Sequence, residues 1–194
     1  MKKILIFLFL LNLSYNHAYS IEPDVFVQST VNRAADTLGA GLTKNERMEE
    51  LKKIALETVD IRGIGFYSLG SHRKTATDDQ KKEYEKVFKE YFLISFSSRL
   101  AEYSNPIISV DSKNKINENY TIVSSTLAAS EKRPAVKIEW RIYTKNKEKP
   151  VIRDLIIEGL SLARTQKEEF NSIIQSANGD INPLLKNLRE FSNN

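Results

Sequence analysis

Apolar residues in the first half of the chain, between positions 23 and 103, recur at steps of three and four. This spacing places side chains along one face of a helix. A Ser, Thr or Asp before such a run and a Gly after it mark where the helix begins and ends. Four helices are predicted here: one between Pro23 and Gly39, one opened by the capping box of Thr43 and Glu46, a short one from Ile61 to Leu69 between Asp60 and Gly70, and a long one from the capping box of Thr77 and Gln80 to about Tyr103.

From position 107 the period of the apolar residues changes to two, and turn signals divide the chain into four segments. The clearest segment places its apolar side chains at every second position: Val136, Ile138, Trp140 and Ile142. Polar residues stand between them, which is typical of a strand with one covered face and one face in water. Because the connections are short, neighbouring strands are expected to be antiparallel.

The chain then returns to a helical pattern. One helix is predicted from a cap at Thr165, paired with Glu168, to a stop at Gly179, and another begins at Asn182 and Pro183. Together these elements predict an α+β fold, a twisted antiparallel sheet of about four strands with helices packed on it.

The long predicted helix carries a broad and heavily aromatic stripe, which includes Phe88, Phe92, Phe96 and Leu100. The short helix before it contains Gly63 and Gly65, which allow another backbone or a ligand to approach closely. These apolar faces either pack together as an ordinary core or enclose a cleft that holds an apolar ligand. Periodicity favours packing for most of the residues and leaves the cleft as the functional alternative.

The first twenty residues have the pattern of a secretory signal peptide. Lys2 and Lys3 precede an apolar run over positions 4 to 11, and Ala18 and Ser20 occupy the small-residue positions before a cleavage site at Ile21. The apolar run of about ten residues is shorter than the roughly 20 that a membrane span needs. We therefore expect residues 1–20 to be a signal peptide and residues 21–194 to form a single domain.

Composition restricts the chemistry of that domain. The chain has 41% hydrophobic and 28% charged residues, which is typical of a globular protein, and no cysteine, which excludes disulfides, thiolate nucleophiles and zinc ribbons. Removing the two lysines of the signal peptide lowers the net charge from +4 to +2. A nearly neutral protein is a poor partner for nucleic acid, so no nucleic-acid binding is expected. No metal or cofactor is expected either, because one histidine and no cysteine remain after the signal peptide and no dinucleotide-binding fingerprint is present.

Candidate catalytic groups are few. His72 is the one histidine after the signal peptide, so a hydrolase would need it beside Ser68, Ser71 or Ser161. Asp154 and Glu158 are four apart in a predicted strand, which separates them by about 13 Å on one face, beyond the spacing of glycosidase carboxylates. We expect them to hydrogen-bond to loops or helix ends instead, and no catalytic residue is assigned.

Several short segments resemble the MlaC family, the periplasmic phospholipid-binding proteins of the Mla pathway, also known as the toluene-tolerance auxiliary family. Their order and spacing match over about residues 45 to 190, and the most specific segment reads D-x-x-x-E-G-x-S followed by a hydrophobic residue. The matching segments are Val59-Asp60-Ile61, Leu69-Gly70, Thr77-x-x-Gln80 before Phe88, Asp154 to Leu162, and Phe170.

The resemblance implies a non-enzymatic periplasmic carrier without a cofactor, whose sheet and helices enclose an apolar cavity for the acyl chains of a phospholipid. It further implies two partners, an inner-membrane lipid-transport ABC complex and an outer-membrane lipoprotein-porin complex. A hopanoid ligand, a lipid hydrolase using the same cleft, and a structural module with a filled core remain alternatives. The side chains expected to line the cavity are Ile64, Phe66, Leu69, Phe88, Phe92, Phe96, Leu100, Val136, Ile138, Trp140 and Ile142.

Overall fold

A five-stranded antiparallel meander and six helices make up the computed structural model, which describes residues 20–131 and 133–193. The predicted signal peptide lies outside the described residues except for Ser20. The helices are α1 (Pro23–Gly39), α2 (Lys44–Thr58), α3 (Ile61–Leu69), α4 (Asp78–Leu100), α5 (Leu162–Ser176) and α6 (Asn182–Asn193), with a 3-10 turn at Gly70–Lys74. The strands, in their spatial order, are β1 (Ile108–Asn117), β2 (Tyr120–Leu127), β3 (Val136–Tyr143), β4 (Val151–Ile157) and β5 (Leu160–Ser161).

The predicted α+β fold is confirmed, and the two-residue β5 is the one addition to the four predicted strands. None of the described helices is both long and apolar enough to cross a membrane. The longest, α4, carries charged residues throughout its first half.

The predicted capping boxes start α2 and α4. At the start of α2 the Thr43 hydroxyl accepts the Glu46 amide at 3.3 Å, and the Glu46 carboxylate accepts the Thr43 amide at 2.9 Å. Thr77 and Gln80 make the same reciprocal pair at the start of α4. These bonds satisfy amides that have no partner inside the helix. α4 ends at Leu100, about one turn before the predicted end.

The helix after the sheet begins earlier than predicted. α5 starts directly after Ser161, whose hydroxyl accepts the Arg164 amide at 3.1 Å, so the predicted cap at Thr165 is wrong. The reason is the short β4–β5 hairpin, which returns the chain to the helix layer within a few residues. Thr165 instead lies in the first turn and donates to the Ser161 carbonyl.

The D-x-x-x-E-G-x-S segment builds this connection. Asp154 is 4% exposed, and its carboxylate accepts the Ser161 hydroxyl at 2.6 Å and the Ala163 amide at 3.0 Å, so it completes the cap of α5. Hydrogen bonding to a helix end, as expected for Asp154, is confirmed. Glu158 does not lie on the strand as predicted, because it and Gly159 have φ of 49° and 81°, which is the conformation of a tight type I′ turn.

One face of the sheet is apolar and the other is largely polar. Cross-strand pairing aligns Val123 with Trp140 and Trp140 with Leu155, so these side chains share a face. We call this surface the apolar face; it comprises Val123, Leu127, Val136, Ile138, Trp140, Ile142, Ile152, Leu155 and Ile157.

Buried apolar side chains form three clusters, although a domain of this size usually has one continuous core. The helical cluster, between α3, α4, α5 and α6, comprises Ile61, Ile64, Leu69, Ala76, Tyr84, Val87, Phe88, Ala163, Phe170, Ile174, Ile181, Leu184, Leu185 and Leu188. The sheet cluster, between α1 and the apolar face, comprises Val27, Val31, Val123, Leu127, Ile138, Trp140, Ile142 and Ile152. The corner cluster, between α1, α2 and the end of α4, comprises Leu38, Leu51 and Ala101.

The connection between α2 and α3 joins the helical layer to the sheet. The Asp60 amide donates to the Ile152 carbonyl at 2.9 Å, and the Arg153 Nε donates to the Asp60 carboxylate at 2.7 Å. The Arg153 guanidinium also lies over the Tyr143 ring, 3.6 Å from its centroid. Val59 packs against both the helical cluster and the sheet cluster, so apolar contact reinforces the polar bonds.

Gly65 allows α3 and α4 to approach closely, as its position in a short apolar helix predicted. The Tyr84 hydroxyl donates to the Gly65 carbonyl at 2.8 Å, and burial raises the pKa of that hydroxyl. A Cβ at position 65 would lie 2.7 Å from Cδ1 of Phe88. The Phe88 ring is held in turn by Phe170, whose ring meets it edge to face at 6.1 Å, so it has little room to move.

We predict that Gly65→Ala lowers the free energy of unfolding by about 1–2 kcal/mol, because the strain of overpacking exceeds the gain in helix propensity. Urea denaturation measures the change. Gly39→Ala is the matched control, since its Cβ would meet the end of the exposed Asn105 side chain, which can rotate away. Equal stability of the two variants would contradict the close contact between Gly65 and Phe88.

Replacing Asp154 tests its role as a cap. We expect Asp154→Ala to lower the free energy of unfolding by roughly 2–4 kcal/mol, because a buried amide and a hydroxyl lose a charged acceptor. Asp36→Ala, at an exposed site, should stay within about 0.5 kcal/mol of the unmodified protein. Similar denaturation midpoints for both variants would show that Asp154 does not hold the start of α5.

Candidate functional site

The predicted cavity residues are divided among the three clusters. Ile64, Leu69 and Phe88 lie in the helical cluster with Phe92 at its margin, whereas Ile138, Trp140 and Ile142 lie in the sheet cluster with Val136 at its margin. Leu100 packs at the margin of the corner cluster. Phe66 lines a small cleft, and Phe96 belongs to none of the clusters. The structure therefore does not bring the whole predicted set together in one enclosed space.

The small cleft lies between α3 and α4. Its volume is about 60 Å³, well below the roughly 300–1,000 Å³ of ligand pockets. Arg62 pairs with Glu85 at 2.9 Å and lies over the Phe66 ring at 4.9 Å, so charged groups stand beside the cleft. Its size and charged surroundings make it unsuitable for an acyl chain.

The middle of α4 has an unusual exposure pattern. In the first half of the helix, buried residues such as Tyr84 and Phe88 alternate with exposed charged ones, as in any amphipathic helix. Every residue from 91 to 96 is instead half-buried, whichever way its side chain points. Within this stretch the Phe92 and Phe96 rings stack, with centroids 5.7 Å apart and an interplanar angle of 9°. An apolar helical surface here is neither sealed in a cluster nor fully in water.

The apolar face of the sheet also continues beyond its sealed part. Leu155 and Ile157 are half-buried, and Leu160, which pairs with Ile157 across the β4–β5 turn, is 60% exposed. Cross-strand partners point to the same side, so Leu160 extends the apolar face into a lip at its end. We call Leu155, Ile157 and Leu160 the apolar lip.

Sequence reasoning missed the apolar lip. In β4, Leu155 and Ile157 are two residues apart and share the apolar face. Ile152 lies on that same face although it is three residues before Leu155, a separation that regular alternation does not allow. The cause is a register shift in the pairing of β3 with β4. Arg141 pairs with Asp154 and the next residue, Ile142, pairs with Ile152, so Arg153 is an extra residue on β4. A bulge of this kind breaks the period of two, so no regular alternation marked the strand.

The Trp140 indole and the Ser125 hydroxyl, which are buried on the apolar face, are hydrogen-bonded. The Trp140 Nε1 donates to the Ser125 hydroxyl at 2.8 Å, and that hydroxyl donates to the Ile138 carbonyl at 3.3 Å. The indole and the hydroxyl therefore need no water or ligand partner. Across β2, β3 and β4, all of which are described, no charged side chain shares this face. The surface is suited to hydrocarbon.

The hydrolase alternative finds no support in the positions of His72, Ser68 and Ser161. The His72 Nε2 contacts the Asn171 side-chain oxygen at 3.0 Å rather than a serine hydroxyl. Ser68 donates to the Ile64 carbonyl, and Ser161 donates to Asp154. Within residues 20–131 and 133–193, no three acidic or histidine side chains converge in a way that could hold a metal ion.

Comparison with known proteins agrees with this architecture. A solved structure of a phospholipid-binding protein from Ralstonia solanacearum, in complex with a phospholipid, superposes with a TM-score of 0.75 at 18% identity. The match covers 89% of this chain and 97% of that protein, so the two share a fold over nearly their whole lengths. The sequence model of the MlaC protein family matches residues 28–190. This match covers most of the chain and confirms the resemblance seen in its motifs: the chain belongs to the MlaC family.

Proposed function

We propose that this protein is a periplasmic phospholipid carrier whose acyl-chain compartment lies between the middle of α4 and the apolar face of the sheet. The observation that carries the proposal is the pair of incompletely buried apolar surfaces, at residues 91–96 and at the apolar lip. Membership of the MlaC family supports it, as does the relative from Ralstonia solanacearum, which binds a phospholipid.

The chemistry of lipid transfer explains why such a protein needs an apolar surface and no catalytic group. Moving a diacyl lipid with roughly 30 methylenes into water costs on the order of 24 kcal/mol, at about 0.8 kcal/mol per methylene. The strongest non-covalent binding free energies are about 18–21 kcal/mol, which is less than this cost, so a free lipid in water is not a usable intermediate. The carrier must load and unload while it contacts a membrane complex, and its compartment has only to match the bilayer interior.

Loading requires the acyl chains to insert among side chains of the two surfaces. The cleft between α3 and α4 holds about 60 Å³, so the chains must enter elsewhere and displace side chains of the protein. Half-buried groups such as the stacked Phe92 and Phe96 rings are suited to this exchange, because incoming methylenes replace contacts that are already incomplete. A residue sealed in a close-packed cluster would leave a void if it moved.

The wider pathway belongs to the same proposal. A signal peptide over residues 1–20 would deliver the protein to the periplasm, where it would exchange lipid with an inner-membrane ABC complex and an outer-membrane lipoprotein-porin complex. We assign no enzymatic step, since transfer between two apolar environments breaks no bond. A hopanoid could occupy the same compartment, because the surfaces described above select for hydrocarbon.

Organic extraction and mass spectrometry of the purified protein test the proposal. We expect phospholipid at close to one molecule per protein, and Phe96→Glu should reduce it at least tenfold, because the carboxylate would have to lose water against an acyl chain. Phe96 lies outside all three clusters, so this variant should fold, which a circular dichroism spectrum verifies.

Leu56→Glu is the matched control. Leu56 lies on α2 with 49% of its surface exposed, so the same substitution adds the same charge away from the proposed compartment. Its lipid content should equal that of the unmodified protein. A protein without lipid, or equal loss of lipid from both variants, would contradict the proposal, and a hopanoid in the extract would replace phospholipid as the ligand.

A further inference from the structure

Two arginines meet at Tyr103, in the loop that follows α4. Arg47 of α2 donates from Nη1 to the Tyr103 carbonyl at 3.4 Å. Arg133, in the connection between β2 and β3, holds its guanidinium over the Tyr103 ring, 4.7 Å from the centroid. Three separate parts of the fold thus bring two positive charges to one residue.

Both guanidiniums have a buried nitrogen without an acceptor. Among the described residues, the Nε atoms of Arg47 and Arg133 are the two buried side-chain polar atoms that make no hydrogen bond. Buried donors in folded proteins are nearly always bonded, and an orphaned one indicates a missing partner. Both guanidiniums contact Tyr103, one at its carbonyl and one over its ring, so a single partner near Tyr103 is the simplest account of both orphaned donors.

No carboxylate neutralises the two charges within the described part of the chain. Other arginines have acidic partners there, such as Glu57 for Arg33 and Asp60 for Arg153, but neither Arg47 nor Arg133 takes part in an ion pair. The nearby acid, Glu102, is bonded to Lys44, and this contact is the main reason its pKa is lowered, with Arg47 adding a smaller effect. The site therefore keeps an excess of positive charge.

The position of the site relates it to the apolar face. Tyr103 packs against both the sheet cluster and the corner cluster, so it lies at one end of that face. Arg133 is three residues from Val136, the first residue of β3, which packs at the margin of the sheet cluster. An anion held here would stand where the hydrocarbon surface ends.

We propose that Arg47 and Arg133 form an anion site for a phosphate group, and that in the loaded carrier this group is the phosphodiester of the lipid. A guanidinium presents its N–H groups as a planar fork that matches two phosphate oxygens, and an anion would supply acceptors for both orphaned Nε atoms. The identity of the ligand as a lipid rests on the proposed function. The shared chemistry is that of a phosphate oxyanion, which free inorganic phosphate also offers.

A competition between two lipids tests the site. The protein is incubated with detergent micelles that contain equal amounts of dioleoylphosphatidylglycerol and dioleoylglycerol, which differ in the phosphate-containing head group, and the bound ratio is measured by mass spectrometry. We expect a preference of about tenfold or more for the phospholipid. In Arg47→Gln/Arg133→Gln this ratio should fall by about tenfold or more. A ratio does not depend on how much of the variant folds.

Two further variants test whether binding depends on the planar shape of the guanidinium groups or only on their positive charge. Arg73→Gln/Lys74→Gln removes the same charge from exposed positions on the 3-10 turn and should leave the ratio unchanged. Arg47→Lys/Arg133→Lys keeps the charge but loses the planar fork, and should give an intermediate ratio. A thermal-shift titration with inorganic phosphate, on the unmodified protein and on Arg47→Gln/Arg133→Gln, forms the second arm.

The outcomes distinguish this inference from the proposed function. If both lipids bind equally and the arginine variants behave like the unmodified protein, the anion site is wrong while the carrier function stands. If neither lipid binds but phosphate raises the melting temperature of the unmodified protein and not of the glutamine variant, the site stands with free phosphate as its ligand. If neither lipid binds and phosphate has no arginine-dependent effect, both proposals fail.

Discussion

The junction at Val59 and Asp60 is the interaction on which the arrangement of the two layers depends. Backbone, charge and apolar contact coincide there: the Asp60 amide bonds to β4, its carboxylate pairs with Arg153, and Val59 packs into both the helical and the sheet clusters. Asp60 also caps α3 by accepting the Gly63 amide at 2.8 Å. One carboxylate thereby fixes the start of a core helix to the sheet, and the rest of the helical layer is positioned from that point.

The middle of α4 is incompletely packed, in contrast to this junction. Ordinary folding would merge the clusters into one core, because burial of apolar surface is favourable. Here α4 leaves the helical cluster after Leu93 and joins the corner cluster at Leu100, and Ile94 and Phe96 between them belong to neither. The proposed carrier function would use this incompleteness, since apolar contacts that the protein does not make with itself are available to a lipid.

Much of the architecture was predictable from local chemistry, and the candidate site was predictable only in part. Caps at Thr43, Asp60 and Thr77 follow from side chains that satisfy the nearest amides, so they can be read from the sequence. The start of α5 was misplaced because it depends on the β4–β5 hairpin, which brings the Ser161 cap and the Ala163 amide to the Asp154 carboxylate. The periodicity of an apolar stripe shows which face turns inward, but not whether that face is sealed. That distinction is made by tertiary packing, which is why one predicted set of side chains is divided among three clusters.

Contact quenching of Trp140, the one tryptophan of the chain, tests the central claim most directly. Its indole lies on the apolar face with 8% of its surface exposed. Protein loaded with phospholipid brominated along the acyl chain should emit less than protein loaded with the same lipid without bromine, because bromine quenches only near contact. A label on the head group should quench much less. Equal emission from the brominated and ordinary lipids, at a lipid occupancy verified by mass spectrometry, would show that the apolar face does not line the acyl-chain compartment.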